Sequence, residues 1–189
     1  LPTARWSTSA HGDVRAEVHS PWRTVDALLG ALGIAAASQG TMNNLVIAGD
    51  GFGMFETMGG GAGAAPGVRG TDAVHVHMTN TRLTDPETLE LRTPLRVERL
   101  RVNPGTGGAG AFPGGAGMVR RIRAGAPCEA CFVAERRASG PSGTDGGGPG
   151  TPGGQRVIRA DGSVEPLAGR AAATLRPGDA IEVSTPGGG

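Results

Sequence analysis

The spacing of apolar and polar residues changes character once along this chain. Val25, Leu28, Leu29 and Leu32 follow the i, i+3, i+4, i+7 rule and predict a helix with one apolar stripe. Ser20 stands at the N-cap position and Pro21 in the first turn. Gly33 lies just past the end, where a left-handed residue commonly stops a helix. After Ser38 the period shortens to two. Short runs with strand character lie at Leu45–Ile47, Met54–Phe55, Val74–Met78, Met118–Arg123, Cys131–Ala134, Arg156–Arg159, Val164–Leu167 and Ala180–Val183. The longest run, Leu95–Val102, carries Leu95 and Val97 in one phase and Leu100 and Val102 in the other, so a β-bulge is expected around Glu98-Arg99. Asp161-Gly162 and Pro177-Gly178-Asp179 read as turns. The connections are too short for βαβ crossovers. The expected fold class is α+β and β-dominated: one N-terminal helix, then a Gly-rich antiparallel sandwich or barrel-like sheet.

Composition weakens the expected core. The chain has 189 residues with 35 Gly and 14 Pro, but only four Phe, two Trp and no Tyr. Aromatic side chains normally supply much of the buried area, so a self-sufficient core is not expected. In Ala138–Gln155, Gly and Pro fill eleven of eighteen positions, which predicts a loop or surface-hugging coil. Net charge is +1, giving no reason to expect a nucleic-acid or membrane partner. All the basic residues are Arg. The absence of Lys excludes a Walker A phosphate loop and Schiff-base chemistry in this chain. No apolar stretch is long enough to span a bilayer and no signal peptide is evident, so a cytoplasmic location is expected. Cys128 and Cys131, three apart in a strand, face opposite sides and read as packing residues.

Three stretches carry groups suited to chemistry. In a strand, His75 and His77 would share a face roughly 7 Å apart, half of a transition-metal site or a pair on a polar face. Two ligands are too few to fix a metal, whose presence stays open. Asn80, Thr81 and Arg82 follow directly and could orient a carbonyl or carboxylate. A turn in which Thr84 or Asp85 caps the next element and Pro86 fixes φ accounts for the same stretch equally well. Asn43 and Asn44 could line a polar pocket or serve a helix-to-strand connection. Glu56 leads into the run Gly59–Gly63, whose amides could face an anion or permit tight turns. Gly105-x-Gly107-x-x-Gly110 matches a dinucleotide fingerprint in letters alone, because Pro113-Gly114 follows where a helix is required.

Read together, the segments Ala37–Leu45, Phe55–Gly63 and Val74–Glu87 closely resemble the hydantoinase B/oxoprolinase family. Pro104–Gly110, Glu135-Arg136-Arg137, Leu175–Asp179 and Thr185–Gly189 agree with it in the same order. The resemblance covers Val25 to the last residue, leaves residues 1–19 poorly matched, and corresponds to the C-terminal part of much longer chains. It implies a fragment or truncated form of a subunit for ATP-dependent hydrolysis of small cyclic amides such as 5-oxoproline or N-methylhydantoin. ATP and Mg would be held by a hydantoinase A-type partner. A ketone carboxylase segment, or a non-catalytic interaction module of such a complex, are the alternatives. It also implies His75, His77 and Glu56 as catalytic residues, and Asn80, Thr81, Arg82, Asn43 and Asn44 as substrate-binding ones.

Overall fold

The computed structural model describes residues 23–77 and 79–189. Ser20 and Pro21, the expected start of the first helix, and Met78 lie outside the described residues. Helix α1 covers residues 23–31. Its end is a Schellman motif: Gly33 adopts φ +65°, Gly33 N–H bonds the Gly30 carbonyl at 3.1 Å, and Ile34 N–H bonds that of Leu29 at 2.9 Å. The helix does not bury the predicted stripe. Leu28 and Leu32 are exposed, and the buried residue is Asp26.

Nine strands follow among the described residues: β1 Asn44–Gly49, β2 Phe52–Thr57, β3 Leu95–Asn103, β4 Gly117–Ala124, β5 Cys128–Val133, β6 Gly154–Ile158, β7 Val164–Leu167, β8 Arg170–Leu175 and β9 Ala180–Ser184. Helix α2, Pro86–Arg92, precedes β3, with the Asp85 side chain accepting from the Glu87 and Thr88 amides. All pairings are antiparallel, in one sheet of order β2-β1-β5-β8 and another of order β3-β4-β9-β6-β7. The β3–β4 register slips between Val97 and Arg99, and this bulge puts Leu95, Val97, Leu100 and Val102 on one face. Leu45, Ile47, Phe132 and Leu175 of the first sheet share one apolar cluster with Ile122, Val157, Ile181 and Val183 of the second, making a sandwich.

Two expectations are overturned. Val74–His77 is not a strand. Val74 makes a single bridge with Gly60, and His77 then takes φ +58°, which breaks the alternation of an extended chain. The second correction concerns the glycines, which build a core of their own. Residues 36–41, 59–73, 104–117, 140–153 and 185–189 lie side by side and are hydrogen-bonded backbone to backbone. Gly61 N–H reaches the Pro186 carbonyl at 2.9 Å, Gly188 reaches Gly115 at 2.8 Å, Gly115 reaches Ala62 at 2.9 Å, Gly189 reaches Ala37 at 2.8 Å and Ala37 reaches Ser142 at 3.0 Å. A Cβ on Gly61 would overlap the Gly115 carbonyl, and one on Gly188 that of Ala62. Such crowding leaves glycine as the residue that fits, as along the axis of collagen. Pro141, Gly150 and Gly153 are buried, so the Gly/Pro-rich segment contributes to this core although it forms no strand before Gly154.

Candidate functional site

The first half of α1, the 36–43 segment and the loop carrying His77 meet over a buried carboxylate. Asp26, whose side chain is 4% exposed, accepts the Ser38 amide on Oδ1 at 3.0 Å and meets His77 Nε2 on the same oxygen at 2.9 Å. A carboxylate only accepts, so Nε2 carries the proton and Nδ1 of the neutral ring is left with its lone pair. This is the arrangement of a base held by an acidic orienting group. Ser38 Oγ in turn accepts the Gly63 amide at 3.1 Å, which ties the dyad to the glycine core. Asp26 Oδ2 is buried without a partner among the described residues.

The support beneath it is a second knot. Asn43 is fully buried; its amide donates to Gln39 Oε1 at 2.7 Å and accepts from Arg137 Nη2 at 3.0 Å. Arg137 also donates to Gln155 Oε1 and to the Glu135 carbonyl, both at 2.7 Å, and stacks 5.1 Å above the Phe132 ring. Burial pushes its pKa down to about 10. Asn43, His77 and Arg136 have positive φ, three of the five such non-glycine residues among those described. Backbone strain concentrated this way is a recurring property of functional sites.

The other expected site residues occupy different ground. His75 Nε2 lies 3.5 Å from Thr81 Oγ1, its Nδ1 is buried without a partner, and burial lowers its pKa. Glu56 points between the sheets to Arg120, 2.5 Å away, and accepts the Thr84 amide at 3.0 Å. Asn44 accepts from Thr57 Oγ1 at 2.8 Å. Asn80, Thr81 and Arg82 are exposed. The structure therefore brings His77 to Asp26 and Asn43 to Arg137 but holds His75 and Glu56 in separate contacts. Sequence reasoning missed Asp26. Its signal was faint: one acid between Val25 and Leu29 on an otherwise apolar face, with a partner 51 residues away. Among the described residues no three His, Cys, Asp or Glu side chains converge as a metal ligand set.

Known proteins resemble this chain in sequence and in fold. The chain is 41% identical over 167 residues to 5-oxoprolinase 1 of Arabidopsis thaliana, a match covering 88% of this chain and 13% of that protein. It is 38% identical over 178 residues to the uncharacterized protein MJ0963 of Methanocaldococcus jannaschii, covering 91% of this chain and 31% of the relative. The chain thus spans well under half the length of these relatives. Its fold is similar to that of the ATP-dependent caprolactamase from Pseudomonas jessenii, with TM-score 0.66, 21% identity, and 82% of this chain and 30% of that one covered. Acetone carboxylase in its nucleotide-free structure gives TM-score 0.65 at 16% identity, with 89% and 28% covered. The hydantoinase B/oxoprolinase family matches residues 8–189, beginning earlier than the motifs alone suggested, and the chain belongs to that family.

Proposed function

We propose that this chain supplies part of the active site for ATP-dependent hydrolysis of a small cyclic amide, acting with a hydantoinase A-type partner that handles the nucleotide. The observation that carries this reading is the Asp26–His77 dyad, held by a left-handed backbone at His77. The names of relatives such as the Arabidopsis 5-oxoprolinase support the substrate class. ATP bound on the partner, with Mg, would supply phosphoryl activation of the ring carbonyl.

His77 Nδ1 is the proton carrier. It takes a proton from the attacking water and returns it to the ring nitrogen as the C–N bond breaks, leaving an acyl phosphate that a second water hydrolyses to the carboxylate and inorganic phosphate, while Asp26 fixes the ring and stabilises the imidazolium between the two transfers. Asn80, Thr81 and Arg82 lie on the same exposed loop and orient the amide, and His75 braces that loop through Thr81. Glu56, locked to Arg120, anchors its far end at Thr84. The cytoplasm is the compartment we infer. Two unpaired cysteines support it.

The test is reconstitution with a hydantoinase A-type subunit, ATP and 5-oxoproline, following glutamate and phosphate release. His77→Ala should lower kcat by roughly a hundredfold or more, and Asp26→Asn should follow it with a shifted pH profile. A His77→Ala complex turning over at the parent rate would refute the assignment. Binding without turnover in the parent complex would favour the non-catalytic module.

A further inference from the structure

A cleft of about 570 Å³ opens where β5 runs out, lined by residues 134–139, by Gly169 and Arg170 at the start of β8, and by Arg23 of α1. Four arginines and one carboxylate, Glu135, face it. Arg23 pairs with Glu135, and Arg137 is engaged with Gln155, Asn43 and the Glu135 carbonyl. Two cations remain. The Arg170 side chain is exposed and has no hydrogen bond or ion pair among the described residues. Arg136 stands on a left-handed backbone at φ +57°, donates through Nη1 to the Gly140 carbonyl at 3.3 Å, and keeps Nε buried with no acceptor among the described residues.

A guanidinium has five N–H donors and no acceptor, and its planar fork matches a carboxylate. Burial and the neighbouring Arg23 charge push the Arg136 pKa down, and the Asp26 and Glu135 carboxylates act against them. The cleft also adjoins the dyad: Arg136 Nε and Asp26 Oδ2 flank Gly40, at 3.1 and 3.3 Å from where its Cβ would stand. A ring amide reaching His77 could therefore extend a charged substituent toward Arg136.

We propose that this cleft binds a carboxylate, and that Arg136, assisted by Arg170, is the residue by which the site selects an anionic ring amide over a neutral one. The proposal rests on the reading of His77 above only for the identity of the ring. It is tested without turnover, by 15N–1H NMR titration of this chain with 5-oxoproline, with 2-pyrrolidinone (the same lactam lacking the carboxylate) and with inorganic phosphate. 5-Oxoproline should move the Arg136 Nε–H signal saturably, and 2-pyrrolidinone at equal concentration should not. Arg136→Gln should weaken 5-oxoproline binding roughly tenfold or more, and the exposed Arg170→Gln, which carries little folding risk, should weaken it severalfold. Equal responses to the two lactams, tighter binding of phosphate than of 5-oxoproline, absence of binding, or parent affinity in both arginine variants would each overturn the proposal. His77-dependent hydrolysis of a neutral lactam by the reconstituted complex would then leave the proposed function standing alone.

Discussion

Replacing Arg120 with methionine should destabilise the fold by about 3–5 kcal/mol. Arg120 on β4 is fully enclosed, and Glu56 on β2 exposes 3% of its side chain; their charged atoms meet at 2.5 Å across the space between the sheets. Taking two ions out of water costs several kcal/mol each, and mutual attraction must return it. The return here is partial. Glu56 also accepts the Thr84 amide, but among the described residues the three buried Arg120 nitrogens have no partner besides Glu56. Burial lowers the Arg120 pKa against the raising effect of Glu56. The methionine variant would leave the carboxylate buried with one amide for company, a loss comparable to much of a typical domain stability of about 5–15 kcal/mol. Removing both charges in Glu56→Gln/Arg120→Met should cost only about 1 kcal/mol, because no ion is left stranded. Urea unfolding followed by circular dichroism gives the four corners of the cycle, with an unchanged slope as the check on two-state behaviour. If Arg120→Met falls within about 0.5 kcal/mol of the parent, or if the single penalties add in the double variant, the pair is not the inter-sheet lock argued here.

Gly61→Ala should cost about 3 kcal/mol or more, since only backbone surrounds the new methyl, whereas Gly154→Ala, with open space around it, should be neutral or slightly stabilising. Similar melting temperatures for the two variants would contradict the crowding. For His75 the folded pKa lies below the unfolded value, so the unfolded chain binds the extra proton. Its contribution is fully present above about pH 6.5 and is lost as pH falls toward the depressed folded value. Urea midpoints across that range should decline in the parent and decline less in His75→Gln; equal slopes would remove His75 as the cause. Asp85→Ala should cost about 1 kcal/mol through loss of the α2 cap, read from the same unfolding curves. A variant as stable as the parent would mean that the cap is dispensable.

What could be read from the chain was local. The phase change in Leu95–Val102 announced the bulge, Gly33 the helix end, and Asp161-Gly162 the β6–β7 hairpin, whose Gly162 has φ +86°; Asp85 was read as a cap, but the helix it caps, α2, was not expected. Strand β8 escaped because half of Arg170–Leu175 is alanine, with little intrinsic β preference; it is a strand because β5 pairs with it along its whole length. His75 and His77 showed strand spacing, but the bond from His77 to Asp26 on α1 pulled the chain out of register. Asn43 looked like a pocket residue, and its amide is occupied by Gln39 and Arg137. These outcomes depend on partners distant in sequence, which no window of neighbouring residues contains.

The glycine core bears on the energetics of the whole molecule. Unfolding normally raises the heat capacity because hydrocarbon meets water, whereas newly hydrated peptide groups lower it. The segments joined through Gly61, Gly115 and Gly188 hide mainly amides and carbonyls, so their melting adds little to that increment. The stability curve should accordingly be flatter than is usual for a domain of this size. Cooling weakens hydrophobic burial, and this part of the fold has the least of it to lose.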